Sequence, residues 1–269
     1  MKLERVHRVR HELAIGIIAL FLSMGVMAAE SPVPNAITQF STINAILDGL
    51  YQGHWRCADV LQHGDFGICT FDGLDGEGII LEGTPYQAKA DGTVIKVPDD
   101  LTLPFGSITY FNPTQTIPLS GIRDYEHLET TLDTFVKDKN AFYAVRIDGM
   151  FSLAKARSCP KQNKPYPPLV EVTKTQTVFE WKNVEGTLVG FRYPQYMQGL
   201  NLPGYHLHFL SKDHTKGGHA LQCAFDAAQV SLGEIRAFNM ILPESNEFAA
   251  KDLSGNREQE LNAAERERK

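Results

Sequence analysis

Cysteine is scarce in this chain, four among 269 residues, and no two stand in a Cys-x-x-Cys pair. That spacing argues against a cysteine zinc knuckle. Cys57, Cys69, Cys159 and Cys223 can make at most two disulfides or remain as buried thiols, and both alternatives stay open. Basic charge is also in short supply: 26 Lys and Arg face 32 Asp and Glu, for a net charge of −6. No Lys/Arg cluster resembles a phosphate-binding stripe, which argues against nucleic acid as a partner. There is no Gly-x-Ser-x-Gly elbow, no His-Glu-x-x-His, no Walker loop and no Gly-x-Gly-x-x-Gly between strand and helix, so the serine-hydrolase, zincin and nucleotide-binding signatures are missing. Asp72–Gly78 lacks the oxygen spacing of an EF-hand loop. No internal repeat or low-complexity block occurs, and no segment after residue 29 is apolar for long enough to cross a bilayer.

Residues 1–29 read differently. Lys2, Arg5, Arg8 and Arg10 precede the apolar run Leu13–Leu22, and the small residues Ala28 and Ala29 follow. This is the order of a secretory signal peptide, with cleavage expected after Ala28 or Ala29; an uncleaved anchor is the alternative. A mature unit of residues 30–269, periplasmic or secreted and not inserted in a membrane, is the expectation.

The richest stretch is Gly204-Tyr205-His206-Leu207-His208-Phe209-Leu210, then a turn-forming loop, Ser211–Gly218, and His219. Strand side chains alternate faces, so His206 and His208 share a side while Leu207 and Phe209 enter a core. The loop composition predicts a hairpin, and a regular register places His219 opposite His206. Three imidazoles would then converge with no fourth protein ligand close in sequence, the donor set of an open catalytic zinc site. The competing interpretation is a pair of solvent-facing strand histidines. A cupin would place a carboxylate a few residues beyond His-x-His, where Lys212 stands.

Elsewhere Phe40, Ile43, Leu47, Leu50 and Tyr51 recur at helical spacing, with Gly53 as a stop. Strands are expected at Ile68–Phe71, Ile79–Leu81, Tyr86–Ala90, Val94–Val97 and Phe105–Phe111, with joints at Glu82-Gly83 and Asp91-Gly92. A helix is expected over 125–138 and a strand over 141–147. A proline-rich connection near 160–168 is a possible lobe boundary. Leu169–Trp181 is an ambiguous helix because of its Val and Thr content. Strands follow at 186–192, 221–230 and 235–241, and the charged segment 247–269 reads as a surface helix or loose tail. The pattern is an α+β, sheet-dominated protein.

Several strings together resemble the α-acetolactate decarboxylase family: Tyr51-Gln52-Gly53, His63-Gly64-Asp65-Phe66-Gly67-Ile68-Cys69-Thr70-Phe71, Leu74-Asp75-Gly76-Glu77, Tyr86–Gly92, Phe142–Arg146, Arg157-Ser158 with Gln162 and Pro165-Tyr166, and His206–Leu210 through His219. The match is collinear from about Phe40 to the C-terminus. The resemblance implies a mixed-sheet lobe beside a smaller barrel-like lobe, commonly a homodimer. It also implies a Zn2+ enzyme that converts the small keto acid 2-acetolactate to (R)-acetoin and carbon dioxide, the metal chelating the keto and hydroxyl oxygens and stabilising an enediolate. On this resemblance His206, His208 and His219 hold the metal, Thr70 lines the substrate pocket, and Glu77, Arg157 and Glu265 are catalytic. Arg157 orients the substrate, and Glu77 or Glu265 donates the proton. Glu258, Glu260 and Glu267 are the alternatives for the C-terminal glutamate. Cys69 stands where the family usually has glycine. Two other functions stay open: another three-histidine metalloenzyme, such as a cupin-like oxygenase or hydrolase, and a non-catalytic exported metal-binding protein.

Overall fold

The structure is a computed structural model that describes residues 36–265. The expected export segment, residues 1–29, and the alternative glutamate Glu267 lie outside the described residues. No helix among the described residues is long and apolar enough to cross a membrane.

The strands run in chain order as β1 (Ala36–Phe40), β2 (Trp55–Arg56), β3 (Phe66–Thr70), β4 (Glu77–Leu81), β5 (Thr84–Ala88), β6 (Val94–Lys96), β7 (Thr102–Leu103), β8 (Phe105–Thr109), β9 (Gln115–Ile122), β10 (Phe142–Ser158), β11 (Thr177–Tyr193), β12 (Gly204–Ser211), β13 (Gly217–Ile235) and β14 (Ala237–Ile241). The helices are α1 (Ile43–Leu47), α2 (Cys57–Val60), α3 (Tyr125–Asp133), α4 (Leu169–Val172), α5 (Asn246–Ala249) and α6 (Glu258–Glu265).

Two sheets carry the fold. A seven-stranded sheet has the order β14-β1-β8-β3-β4-β5-β6, mixed because β14 runs parallel to β1. A five-stranded antiparallel sheet has the order β10-β11-β12-β13-β9, and β10 also pairs with β13, so four strands nearly close on themselves. Inside that near-barrel, Phe151, Phe209 and Phe225 pack edge to face among Val145, Ile147 and Leu207. A second core joins the sheets, with Ile37, Phe66 and Ile79 against Phe142, Phe191 and Leu210. A third, smaller core brings α1, α4 and α6 together through Ile43, Leu47, Leu169, Leu261 and Ala264.

Several local expectations meet the structure, and others are corrected. The joint at Glu82-Gly83 is a two-residue hairpin turn with φ of 52° and 72°, the left-handed geometry such tight connections require. The first helix is shorter than its spacing suggested. Phe40 belongs to β1, Thr42 caps α1 by accepting from the Ala45 amide, and the chain turns away at Gly49 with φ +81°. Leu169–Trp181 is not one helix: α4 stops at Val172, and β11 is a 17-residue strand whose first half is alternately half-buried and exposed. The strand expected over 141–147 is the start of the 17-residue β10. Its pairing with β13 shifts register at Gly149/Phe151, Phe151/Leu153 and Lys155/Ala156, and such bulges interrupt the period-two pattern that reveals a strand. The proline-rich connection links β10 and β11, neighbours in one sheet; the chain passes between the two large sheets from β8 to β9 and from β13 to β14, while β2 and β7 pair with each other apart from both.

A candidate metal centre between the two sheets

His206 and His208 do share a face of β12, opposite Leu207 and Phe209 in the barrel core. The register differs from the expectation: His219 pairs with His208, not His206. The turn is tighter, closing with the Ser211 amide on the Lys216 carbonyl and Leu210 opposite Gly217. A two-residue displacement preserves side-chain parity, so the three rings still meet. Their centroids are 5.0–5.4 Å apart, their ligand atoms lie within 4.8 Å of one another, and all three are buried.

The ring nitrogens are not equivalent. His208 Nδ1 lies 2.9 Å from the Gly78 carbonyl of the facing sheet, and a carbonyl only accepts, so Nδ1 carries the proton and Nε2 a lone pair. His219 Nε2 lies 2.8 Å from the Glu265 carbonyl, so its Nδ1 is the bare nitrogen; that buried atom has no hydrogen-bond partner. Burial holds both imidazoles well below the ordinary histidine pKa, aided by neighbouring His206 at His208 and by Arg157 at His219. Neutral, buried rings with a bare nitrogen are the chemistry of a metal site, and the orphaned Nδ1 of His219 offers its lone pair to an ion. The residues fit a divalent metal.

Beside the histidines lies a buried charge triad. Arg157 Nη1 donates to Glu77 Oε1 at 2.8 Å and Nη2 to Glu265 Oε2 at 2.7 Å. Strand pairing sets the placement: Arg157 on β10 is opposite His219 on β13, and Thr70 at the end of β3 is opposite Glu77 at the start of β4. The carboxylates reach the histidines, Glu77 Oε2 at 3.7 Å from His208 Nε2 and Glu265 Oε2 at 3.5 Å from His219 Nδ1. Burial pushes the Glu77 carboxyl up to about 7, despite the opposing pull of the Arg157 charge. Around neutral pH this glutamate can therefore hold or release a proton.

Up to Glu265 the C-terminal segment is no loose tail but ends in α6. Glu265, buried at the end of α6 with Leu261 and Ala264, enters the site, whereas Glu258 and Glu260 lie in the first turn of that helix. The Thr70 hydroxyl donates to the Gly76 carbonyl at 2.8 Å, bracing the turn that delivers Glu77. The cavity beside the triad is walled by Thr70, Glu77, Arg157 and Glu265, with apolar Ile43, Ile46 and Phe105. Cys69 faces Gly78 on one side and Gly106 on the other, and those two glycines make room for its side chain. All four cysteines are buried free thiols. Sequence reasoning missed Asn201, whose Oδ1 lies 3.3 Å from His206 Nδ1; a lone asparagine in a loop carries no periodic signal. It also missed the carbonyls of Gly78 and Glu265, since backbone acceptors leave no mark on side-chain identity.

Two packed sheets with a three-histidine cluster and an Arg–Glu–Glu triad between them define a protein built to hold a metal beside buried acid–base groups. A profile of the alpha-acetolactate decarboxylase family matches residues 37–255, and the chain belongs to that family. It is 44% identical over 232 residues to an alpha-acetolactate decarboxylase of Methanosarcina mazei, covering 86% of this chain and 81% of the relative. It is 42% identical over 242 residues to one from Brevibacillus brevis, covering 90% and 85%. The crystal structure of alpha-acetolactate decarboxylase from Bacillus subtilis strain 168 superposes with a TM-score of 0.84 at 35% identity, over 87% of this chain and all of that one.

Proposed function

We propose that the chain is a carboxy-lyase that converts 2-acetolactate to (R)-acetoin and carbon dioxide with Zn2+ held by His206, His208 and His219. The observation that carries this is the meeting, in one buried place, of the histidine cluster and the Arg157–Glu77–Glu265 triad, in a chain of this family. Three imidazoles also suit other first-row metals; zinc is favoured because the reaction needs no redox change and such a set leaves an open position. When bound, the metal supplies Lewis-acid polarisation of the substrate's keto and hydroxyl oxygens.

The protein groups do the rest. Acetolactate is a β-keto acid, so cleavage of the bond to the carboxylate sends an electron pair toward the ketone. Arg157 is locked between two glutamates, its Nε buried and without a partner, and it presents fixed positive charge to the substrate's oxygens. The apolar wall of Ile43, Ile46 and Phe105 accommodates the methyl groups and keeps water away. Glu77 delivers the proton to one face of the reacting carbon, which makes the product chiral. Glu265 keeps Arg157 oriented and, through its carbonyl, holds His219.

The test is metal analysis of the purified protein with an acetoin assay before and after chelation. About one zinc per chain, and (R)-acetoin formation that stops on chelation and returns with Zn2+, is the expected result. Metal bound with acetolactate recovered unchanged overturns it. We further propose that residues 1–29 direct export and that the mature chain is a homodimer, checked by N-terminal sequencing of exported protein and by sedimentation.

A further inference from the structure

His208 and His219 are oriented by backbone carbonyls, but His206 is oriented by a side chain, and the origin of that orientation can be traced. Both amide hydrogens of Gln39 on β1 are committed to carbonyls, Ser41 at 2.9 Å and Leu200 at 2.8 Å. Carbonyls only accept, so Gln39 Nε2 is the donor end and Oε1 the acceptor end. Gln39 Oε1 receives Asn201 Nδ2 at 2.7 Å, and that amide also reaches Ser107 Oγ at 3.3 Å. Asn201 Oδ1 must then be an acceptor, and independently it takes the Leu202 backbone amide at 2.8 Å. The remaining contact, His206 Nδ1 at 3.3 Å, therefore requires a proton on Nδ1 and leaves the lone pair on Nε2. Gln39, Ser107 and Asn201 are all buried, so water offers no competing partner that could reverse the polarity.

We propose that Asn201, oriented by Gln39, is a positioning residue that sets the His206 tautomer and thereby holds the metal-binding nitrogen in its ligating state. The relay carries information from β1 and β8 of the seven-stranded sheet to β12 of the other. This inference rests on the assignment of the three histidines as metal ligands. A carboxamide or carboxylate behind a ligating histidine is worth roughly 10- to 100-fold in metal affinity.

The experiment compares Asn201→Ala with Asn201→Asp. Both sever the bonds to Gln39 and Ser107, but only Asn201→Asp keeps an acceptor facing His206 Nδ1. Zn2+ affinity is measured by chelator competition, and thermal unfolding of the metal-free proteins is followed alongside. Asn201→Ala is expected to lose roughly 10- to 100-fold in affinity and Asn201→Asp to stay within about threefold of wild type, with both metal-free melting temperatures lowered. Both variants lose the bonds to Gln39 and Ser107, and Asn201→Ala also leaves the Leu202 amide without its acceptor; a merely structural asparagine would therefore separate them in metal-free melting temperature and not in Zn2+ affinity. Asn201→Ala within threefold of wild type, or Asn201→Asp as weak as Asn201→Ala, overturns the proposal. If Asn201→Ala does not fold, Asn201→Asp decides alone: a tenfold loss sinks the proposal, and affinity within threefold shows that an acceptor behind His206 Nδ1 is what holds the ligand. A wild-type chain that takes up no Zn2+ overturns the metal assignment itself, a failure distinct from an asparagine that proves indifferent.

Discussion

Arg157 is 3% exposed and faces two carboxylates, so its removal leaves buried acids without their counter-charge. Arg157→Gln should cost about 3–5 kcal/mol of stability and abolish most turnover, read from urea unfolding and an acetoin assay; full stability would show that the triad is not coupled as drawn. Cys69 offers a cleaner packing test. A Cβ at Gly106 would lie 2.7 Å from Cys69 Cβ, so Gly106→Ala should cost about 1–3 kcal/mol. In a Cys69→Gly background the clash partner is gone, and a double-mutant cycle should show coupling of about 0.5–3 kcal/mol; additivity would mean the strand accommodates the methyl elsewhere. Legibility at this scale was uneven. His206, His208 and His219 were readable because alternation and turn composition are local properties. Glu77, Arg157 and Glu265 come together across 80 and 108 residues of sequence separation, and only the family resemblance singled them out. Asn201 had neither kind of signal.

The hairpin of β12 and β13 holds its shape through Asp213. That carboxylate accepts from Ser211 Oγ at 2.5 Å and from the Thr215 amide and hydroxyl at 3.2 and 2.8 Å, which lowers its pKa below the ordinary 3.8. The folded pKa is depressed, so the carboxylate's contribution to loop order is complete above pH 3.8 and fades as pH falls toward the folded value. An NMR titration of the Asp213 carboxyl should give a midpoint below 3.8; a midpoint at or above it removes this contribution. α6 makes a second element-scale prediction. Leu261 is its buried anchor among Ile43, Ile46 and Leu169. Leu261→Asp should undock the helix, withdraw Glu265 and slow decarboxylation on the order of a hundredfold, and metal affinity should fall as well, because the Glu265 carbonyl that orients His219 leaves with the helix. Unchanged turnover would show that α6 is dispensable. This helix was poorly legible because three Glu among its eight residues read as solvated surface, and the burial of one face depends on partners far away in sequence. The histidine hairpin was legible even with its register displaced, since a slip of two leaves every side chain on its own face.

At the scale of the whole molecule, β10, β11 and β13 were only partly visible in the sequence. Each is 17–19 residues long, interrupted by bulges or running half-exposed, and their closure into a near-barrel is set by pairings that no local window contains. That architecture determines how metal binding should register in stability. All three histidines sit on β12 and β13, whereas His208 is braced by Gly78 on β4 and Arg157 ties β10 to Glu77 on β4. An ion gripped by one sheet is therefore held in geometry by the other, and separation of the sheets must release it. A ligand that binds only the folded form stabilises by RT ln(1 + [L]/Kd), about 4 kcal/mol at a thousandfold excess over Kd. Adding Zn2+ to metal-free protein should raise the melting temperature in step with this logarithm. Hydrogen exchange should slow not only in β12 and β13 but also across β3 and β4, which contribute no ligand. Protection confined to the hairpin, with β3 and β4 exchanging as in the metal-free protein, would mean that the two sheets open independently and that the site does not join them.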